Sequence, residues 1–288
     1  MFSLKRLLDV VQSRRRIVAF DFGYLPKARN WHNSAGVKVL ASKTHTAAAD
    51  YKALLAQFAK QRIWLEKIPR HANDDDPTPR WINESFPGLD AVSVYGLLAL
   101  HNPSFYVEVG SGNSTKFARR AIEDHGLKTK IISIDPQPRR YVDAICDQSI
   151  RKPCEDVAMD FFARLPSDTI LFVDNSHRAF QNSDVTVFFI EILPVLVPGI
   201  IWGLHDICFP FDYPDAWRDR FYNEQYLLMC YLMGGGGNDE ILLPNGLIST
   251  SPDFNSAVMA IFESPHFDSI EKHGSCFWMR RGFKETST

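Results

Sequence analysis

The sequence predicts an α/β fold: a Rossmann-like, doubly wound, mostly parallel sheet of seven strands with helices on both faces. Two observations support this prediction. Short β-branched runs alternate with helical stretches from Phe105 onward, which is the pattern of βαβ units. Two glycines, Gly110 and Gly112, follow the first of these runs, where open parallel sheets bind their ligands. A chain of 288 residues, 45% hydrophobic and 23% charged, is long enough for such a domain.

The predicted strands are short runs rich in valine, isoleucine and phenylalanine, bounded by polar or glycine-containing segments. They cover residues 105–109, 130–134, 148–151, 169–173, 200–204, 240–243 and 275–280. Helical spacing of apolar residues predicts the helices between and after them. These helices cover residues 114–125, 157–165, 184–196, 222–232 and 254–262.

The first part of the chain, residues 1–88, is predicted to form a helical extension to a sheet domain over residues 89–288. Helical periodicity is clearest over residues 50–68. A loop rich in aspartate and proline over residues 71–79 separates this helix from another over residues 90–100. We expect the extension to supply either a substrate cap or a dimer surface. In the second case the protein would be a homo-oligomer.

Composition excludes several classes of protein. The formal net charge of −2 gives no electrostatic footprint for nucleic acid. The basic cluster from Lys5 to Arg16 is typical of a solvated terminal helix, with a membrane-surface helix as the alternative. No run approaches the roughly 20 apolar residues of a membrane-spanning helix, so no stable membrane insertion is expected. Five scattered cysteines indicate neither disulfides nor a structural zinc site, and favour a reducing, cytoplasmic location.

The loop after the first strand is the candidate cofactor site. Gly110 and Gly112 permit a tight turn and a close approach by a ligand, and Ser111 lies between them. Ser114 caps the helix that follows, whose first N–H groups have no partner within the helix. This arrangement suits either a nicotinamide dinucleotide or S-adenosylmethionine.

Two residues near this loop favour S-adenosylmethionine. A dinucleotide fingerprint has a third glycine where this chain has Thr115. We expect Glu108 to place a carboxylate in the crevice, where it would repel a pyrophosphate and attract the cationic sulfonium and amino groups of S-adenosylmethionine. Asp135 ends the second strand and can accept hydrogen bonds from the ribose hydroxyls of either cofactor, so it does not discriminate.

From about Asp90 to Arg280 the chain resembles the class I S-adenosylmethionine-dependent methyltransferases. Residues 108–112 are similar to the first motif of that family, and Asp135 to its ribose-binding acid. Residues 172–177 and 198–201, with the His-Asp-Ile segment 205–207, resemble a bacterial subgroup that methylates small molecules. The resemblance implies that Pro153, Cys154 and Glu155, after the third strand, cup the adenine.

Four polar residues follow the fourth and fifth predicted strands. Asp174 ends the fourth strand, His177 comes shortly after it, and His205 and Asp206 follow the fifth. Neighbouring parallel strands bring these residues to one rim of the sheet. Methyl transfer to a hydroxyl requires removal of its proton by a general base or a cation that lowers its pKa. In the first alternative His205, or else His177, is the base, and Asp174 contacts cofactor or substrate. His177 can instead cap the next helix.

A divalent metal is the second alternative. Asp174, His205 and Asp206 resemble the site of catechol-type O-methyltransferases, in which an acid and an acid–amide pair hold magnesium. Because a nitrogen ligand replaces an oxygen ligand here, manganese, iron or zinc would be favoured. A purely structural role for these residues and His177 is the third alternative. The aromatic loop over residues 209–217 is a candidate lid, or else a surface segment that packs on the next helix.

Three functions remain open at this stage. The first is a methyltransferase that acts on a hydroxyl of a small molecule such as a sugar or a secondary metabolite. The second is an NAD-dependent oxidoreductase that uses the same crevice, against which Thr115 and Glu108 count. The third is a catalytically silent module that binds S-adenosylmethionine.

Overall fold

The computed structural model describes residues 23–31, 34–73, 76–138 and 142–282. The basic cluster from Lys5 to Arg16 lies outside these residues. Among the helices of the described ranges, none has both the length and the apolar character needed to cross a membrane.

A single seven-stranded sheet forms the centre of the structure. Its strands follow the order β3-β2-β1-β4-β5-β7-β6. The pairs from β3 to β5 are parallel, and β7 runs antiparallel to both β5 and β6. The predicted sheet is therefore confirmed. The strands are β1 (Phe105–Val109), β2 (Lys130–Ile134), β3 (Gln148–Ile150), β4 (Ile170–Val173), β5 (Ile201–Leu204), β6 (Glu240–Pro244) and β7 (Phe277–Arg280).

Helices cover both faces of this sheet. They are α1 (Ala35–Thr46), α2 (Ala48–Ala59), α3 (Arg62–Leu65), α4 (Gly88–His101), α5 (Asn113–His125), α6 (Met159–Ala163), α7 (Asp184–Val187), α8 (Leu193–Val195), α9 (Glu224–Met233), α10 (Asn245–Thr250) and α11 (Asn255–Ile261). A π-helical turn, Phe188–Ile192, joins α7 to α8. The prediction of a single helix over residues 50–68 is wrong, because the structure has two helices there, α2 and α3. The last turn of α2 tightens where the Lys60 and Gln61 N–H groups donate to carbonyls three residues back.

The strands bury side chains on both faces, as expected of a parallel sheet covered by helices. Along β1, Tyr106 belongs to one hydrophobic cluster, whereas Val107 and Val109 belong to another. The first cluster packs under α2, α4, α5 and α11, and the second under α6 to α9. The alternation along β1 decides which face each polar side chain of this strand reaches.

Residues 35–86 pack tightly against the sheet domain. Tyr51, Leu55 and Phe58 are fully buried and share one hydrophobic cluster with Trp278 of β7. Phe58 lies against Gly96 of α4, where a Cβ would come within 2.3 Å of the ring. These contacts make the segment part of the core, and a domain boundary at residue 88 stays a prediction.

Candidate active site

A cavity of about 1460 Å³ opens beyond the carboxyl ends of the central strands. It lies at the boundary between β1 and β4, where the strand order reverses. This is the ligand-binding position in open α/β sheets. Two of the predicted site residues, Glu108 and Ser114, do not line it. Those that do are Gly110, Ser111, Gly112, Asp135, Cys154, Glu155, Asp174, His177, His205 and Asp206.

The two glycines of the loop after β1 have different roles. Gly110 has a φ of +80°, and a Cβ there would lie 1.8 Å from the carbonyl oxygen of Asp174. Only glycine fits this position without movement of the backbone. Gly112 is extended, with a φ of −179°, and a Cβ there would meet no atom within 4 Å. Gly110 therefore permits the turn itself, whereas Gly112 leaves open space beside it.

Asp135 closes β2 with its carboxylate at the cavity wall. It accepts a hydrogen bond of 2.9 Å from the Ser111 N–H and one of 2.8 Å from the Gln137 N–H. A carboxylate has about four acceptor positions, so two remain for a ligand. This geometry fits a residue that holds a pair of ribose hydroxyls.

Glu108 does not reach the crevice, and the expectation that its carboxylate faces the cofactor is corrected. The side chain is fully buried on the same face of β1 as Tyr106, whose hydroxyl donates to it at 2.9 Å. The hydroxyls of Ser114 and Thr115, in the first turn of α5, also bond this carboxylate. Burial raises the pKa of Glu108 to about 7. Glu108 therefore fixes the start of α5, and through it the loop, from behind.

Two histidines and two aspartates converge on one point of the cavity. His177 Nε2 lies 3.3 Å from Asp174 Oδ1 and 3.5 Å from Asp206 Oδ2. His205 Nδ1 lies 3.3 Å from Asp174 Oδ1 and 3.6 Å from Asp206 Oδ1. We call these four residues the histidine–aspartate centre. The structure thus brings together all the residues predicted at the ends of β4 and β5.

The far nitrogen of each histidine faces a second carboxylate. His177 Nδ1 is 2.9 Å from Glu224 Oε2, and His205 Nε2 is 3.3 Å from Asp90 Oδ2. Both acids are fully buried. Asp90 was not predicted as a site residue. The available signal was a carboxylate within an otherwise apolar helix, since Asp90 lies in α4 and Glu224 in α9.

Local backbone geometry sets the positions of the centre. The His205 N–H donates to the Val173 carbonyl, which aligns the end of β5 with that of β4. His177 and Asp206 both have positive φ values, 57° and 55°, so the chain turns sharply at each of them. The alternative that His177 caps the next helix is wrong, because α7 begins at Asp184 and His177 bonds Glu224 instead.

The carboxylates around the histidines attract positive charge. Burial opposes protonation of His205, yet Asp174 and Asp206 raise its pKa well above the usual value. His177 behaves alike, since Asp174 and Glu224 outweigh burial and raise its pKa to about 10. Without a metal the surrounding carboxylates therefore favour the protonated form of each ring. This electrostatic setting does not favour a histidine as general base.

The same residues fit a divalent metal ion. Donor atoms bound to one metal at about 2.0–2.2 Å lie roughly 3.0–3.6 Å apart, and Asp174 Oδ1 lies 3.3 Å from both His177 Nε2 and His205 Nδ1. These separations exceed the roughly 2.7–2.9 Å of a charge-assisted hydrogen bond. A carboxylate behind each imidazole is typical of histidines that bind metals.

The aromatic loop over residues 209–217 lies beside Tyr222, whose ring contacts both Tyr213 and Trp217. Phe209 and Tyr213 are buried, whereas Phe211 and Trp217 line the opening. The Arg29 N–H donates to the Asp212 carboxylate at 2.8 Å, so the segment before α1 contacts this loop. The loop therefore forms a wall of the cavity, and its movement as a lid stays a prediction.

Comparisons with known proteins found the following similarities. Residues 107–207 match a family model described as a methyltransferase domain. A search of curated proteins found no match. The MycE methyltransferase of the mycinamycin biosynthetic pathway, in complex with Mg, SAH and mycinamycin VI, is 13% identical with a TM-score of 0.35. That alignment covers 66% of this chain and 49% of MycE, so the chain spans about half the length of that relative.

Two further solved structures are similar at the same low level. The SAH-bound methyltransferase PaMTH1 of Podospora anserina is 14% identical, with a TM-score of 0.34 over 91% of this chain and 100% of that one. The branched-chain polyamine synthase of Thermus thermophilus is 10% identical, with a TM-score of 0.39 over 79% of this chain and 65% of that one.

Proposed function

We propose that this chain, which carries the methyltransferase domain of the class I S-adenosylmethionine-dependent family, methylates a hydroxyl group of a small molecule with the help of a divalent metal. The family assignment rests on the match over residues 107–207 and on the sheet with its antiparallel β7. The proposal of metal-assisted transfer to a hydroxyl is carried by one observation. His177 and His205 turn one nitrogen toward a shared centre and the other toward a buried acid.

The cofactor part of the proposal assigns each loop residue a task. Asp135 has free acceptor positions for the ribose, because Ser111 and Gln137 use only two of them. Cys154 and Glu155 line the part of the cavity where we place the adenine. The open space beside Gly112 admits the methionine part of S-adenosylmethionine. An NAD-dependent alternative is not proposed, since Thr115 stands where a dinucleotide loop has glycine and is bonded to Glu108.

The metal part of the proposal concerns the histidine–aspartate centre. A divalent cation held by Asp174, His177 and His205 would lower the pKa of an acceptor hydroxyl that contacts it. Two imidazole ligands and one carboxylate favour manganese, iron or zinc over magnesium, which prefers oxygen. Glu224 and Asp90 orient the two rings from behind, which fixes the nitrogen that each ring turns to the centre.

Two independent measurements test this function. Calorimetric titration with S-adenosylmethionine tests the cofactor, and a folded protein that does not bind it would exclude methyl transfer. Elemental analysis after dialysis against equal concentrations of magnesium, manganese and zinc tests the metal. We expect manganese or zinc to be retained by the wild-type protein and lost from Asp174→Ala and His205→Ala, with the exposed His71→Ala as control. Equal metal content in all four proteins would defeat the metal part alone.

A candidate acceptor is then identified by its mass. Incubation with S-adenosylmethionine and single hydroxylated compounds should give a product heavier by one methylene unit. Product formation should stop when a chelator removes the metal and resume when the metal is restored. Methylation that continues after complete removal of the metal would contradict activation by a cation.

A further inference from the structure

Two arginines stand at the acceptor end of an otherwise acidic cavity. Arg178 and Arg220 both line it, together with acids such as Asp135, Asp174 and Asp206. Arg178 is half-buried and Arg220 lies exposed at the rim. Within the described part of the chain, neither arginine forms an ion pair with a carboxylate. A negatively charged group of a ligand could therefore pair with these arginines.

Aromatic rings hold both guanidinium groups in place. The Arg178 guanidinium carbon lies 5.1 Å from the centroid of the Tyr222 ring. That of Arg220 lies 4.4 Å from the centroid of Trp217 and 5.5 Å from that of Tyr222. Cation–π contacts of this kind orient a planar guanidinium without neutralising its charge.

Backbone carbonyls fix Arg178 further. Its Nε donates to the carbonyl of Arg220 at 2.8 Å, and its Nη1 donates to the carbonyl of Ser176 at 2.9 Å. These bonds link the segment after β4 to the segment before α9. The carboxylate of Asp212, which also lines the cavity, accepts from Arg29, Tyr213 and Tyr226. The two arginines are therefore ordered but not neutralised.

Tyr222 connects these arginines to the histidine–aspartate centre. Its ring centroid lies 4.6 Å from that of His177, and the same ring carries the guanidinium groups of Arg178 and Arg220. One small molecule can therefore place a hydroxyl at the centre and another group at the arginines. A planar guanidinium fork matches a carboxylate better than any neutral group.

We propose that Arg178, Arg220 and the rings of Trp217 and Tyr222 form a subsite for a carboxylate, so that the methyl acceptor is a hydroxylated carboxylic acid. This inference rests on the proposed function, because it names the class of acceptor for the same site. The arginines bind the carboxylate, and the hydroxyl to be methylated points to the histidine–aspartate centre. The subsite selects substrates by charge and takes no part in the chemical step.

Matched pairs of acids and neutral esters test the subsite. The probes are 3,4-dihydroxybenzoate and galacturonate, each compared with its methyl ester, and binding to the SAH-bound protein is measured by calorimetry. We expect at least one acid to bind about tenfold more tightly than its ester, since a charge-assisted hydrogen bond is roughly twice as strong as a neutral one. Arg178→Gln and Arg220→Gln should each remove most of this preference of acid over ester.

Arg218→Gln is the matched control, because Arg218 is an exposed neighbour that pairs with Asp219 and does not line the cavity. Three results would each overturn the subsite. The esters could bind as tightly as the acids, the preference for the acids could survive in both arginine variants, or no probe could bind. S-adenosylmethionine is titrated into the same samples. Its failure to bind defeats the proposed function, whereas normal cofactor binding without a charge preference defeats the subsite alone.

Discussion

The cofactor end and the acceptor end of the cavity are built in different ways. The cofactor loop is one continuous segment, and its geometry depends on backbone conformation at Gly110 and on hydrogen bonds from main-chain N–H groups to Asp135. The histidine–aspartate centre instead combines side chains that follow β4 and β5, supported by α4 and α9. The cofactor loop should therefore be sensitive to a Cβ added at a glycine. The histidine–aspartate centre should instead be sensitive to changes in the charge or donor atoms of single side chains.

The largest effect is expected at the cofactor end, from Gly110→Ala. The new Cβ would overlap the Asp174 carbonyl oxygen, 1.8 Å away, at a φ that alanine avoids. We expect the free energy of unfolding to fall by more than about 3 kcal/mol, measured by urea denaturation. Gly112→Ala is the control. It should keep the stability of the wild-type protein and lose affinity for S-adenosylmethionine. Equal stability of both variants would refute the distinction between the two glycines.

A second test separates support of the loop from contact with the cofactor. The pKa of Glu108 is raised to about 7, mainly by burial, so its proton is bound more tightly in the folded than in the unfolded state. Its contribution to stability is therefore complete below the unfolded pKa and is lost as pH rises through about 7. Glu108→Gln removes this titration. Relative to the wild-type protein, the variant should gain about 3 kcal/mol between pH 4 and pH 8.

Thermal or urea unfolding of both proteins across this pH range measures the effect. Because Glu108 lies behind the loop, Glu108→Gln should leave the affinity for S-adenosylmethionine within a few-fold of the wild-type value. Suppose instead that Glu108→Gln loses much of its affinity for S-adenosylmethionine and the pH dependence of stability does not change. This result would support the direct contact between Glu108 and the cofactor that the sequence predicted. Asp135→Asn, which alters the cavity wall itself, should weaken cofactor binding and serves as the positive control.

The smallest effect is expected behind the histidine–aspartate centre. Glu224→Gln and Asp90→Asn keep the shape of each side chain but remove the negative charge that faces an imidazole nitrogen. We expect each to weaken manganese or zinc binding by about 10–100-fold, as for other carboxylates that support metal-binding histidines. Metal titration measures this directly. Glu155→Gln, an acid at the adenine end, should bind metal normally, and a loss there equal to that of Glu224→Gln would contradict the assigned roles.

The sequence was informative where local pattern decides structure. Strand ends could be predicted from short β-branched runs, and parallel pairing then placed Gly110, Asp135 and His205 at the same edge. Glu108 was misplaced because the face to which a strand residue points depends on how the whole strand packs. Asp90 was missed because it lies in an apolar helix, and only tertiary packing brings that helix behind His205. Arg178 and Arg220 were missed because they lie outside the α-helices and strands and come together only through the ring of Tyr222.

Asp90 has one more consequence, for the biosynthesis of the protein. Its carboxylate is held by the backbone N–H groups of Ser275 and Cys276 and by the amide of Asn245, all near the end of the chain. The cofactor loop and its support at Glu108 are complete more than a hundred residues earlier. A nascent chain can thus form the cofactor loop well before it can orient His205. A chain that stops before residue 275 would lack this support, so the histidine–aspartate centre depends on residues that are synthesised after the cofactor loop.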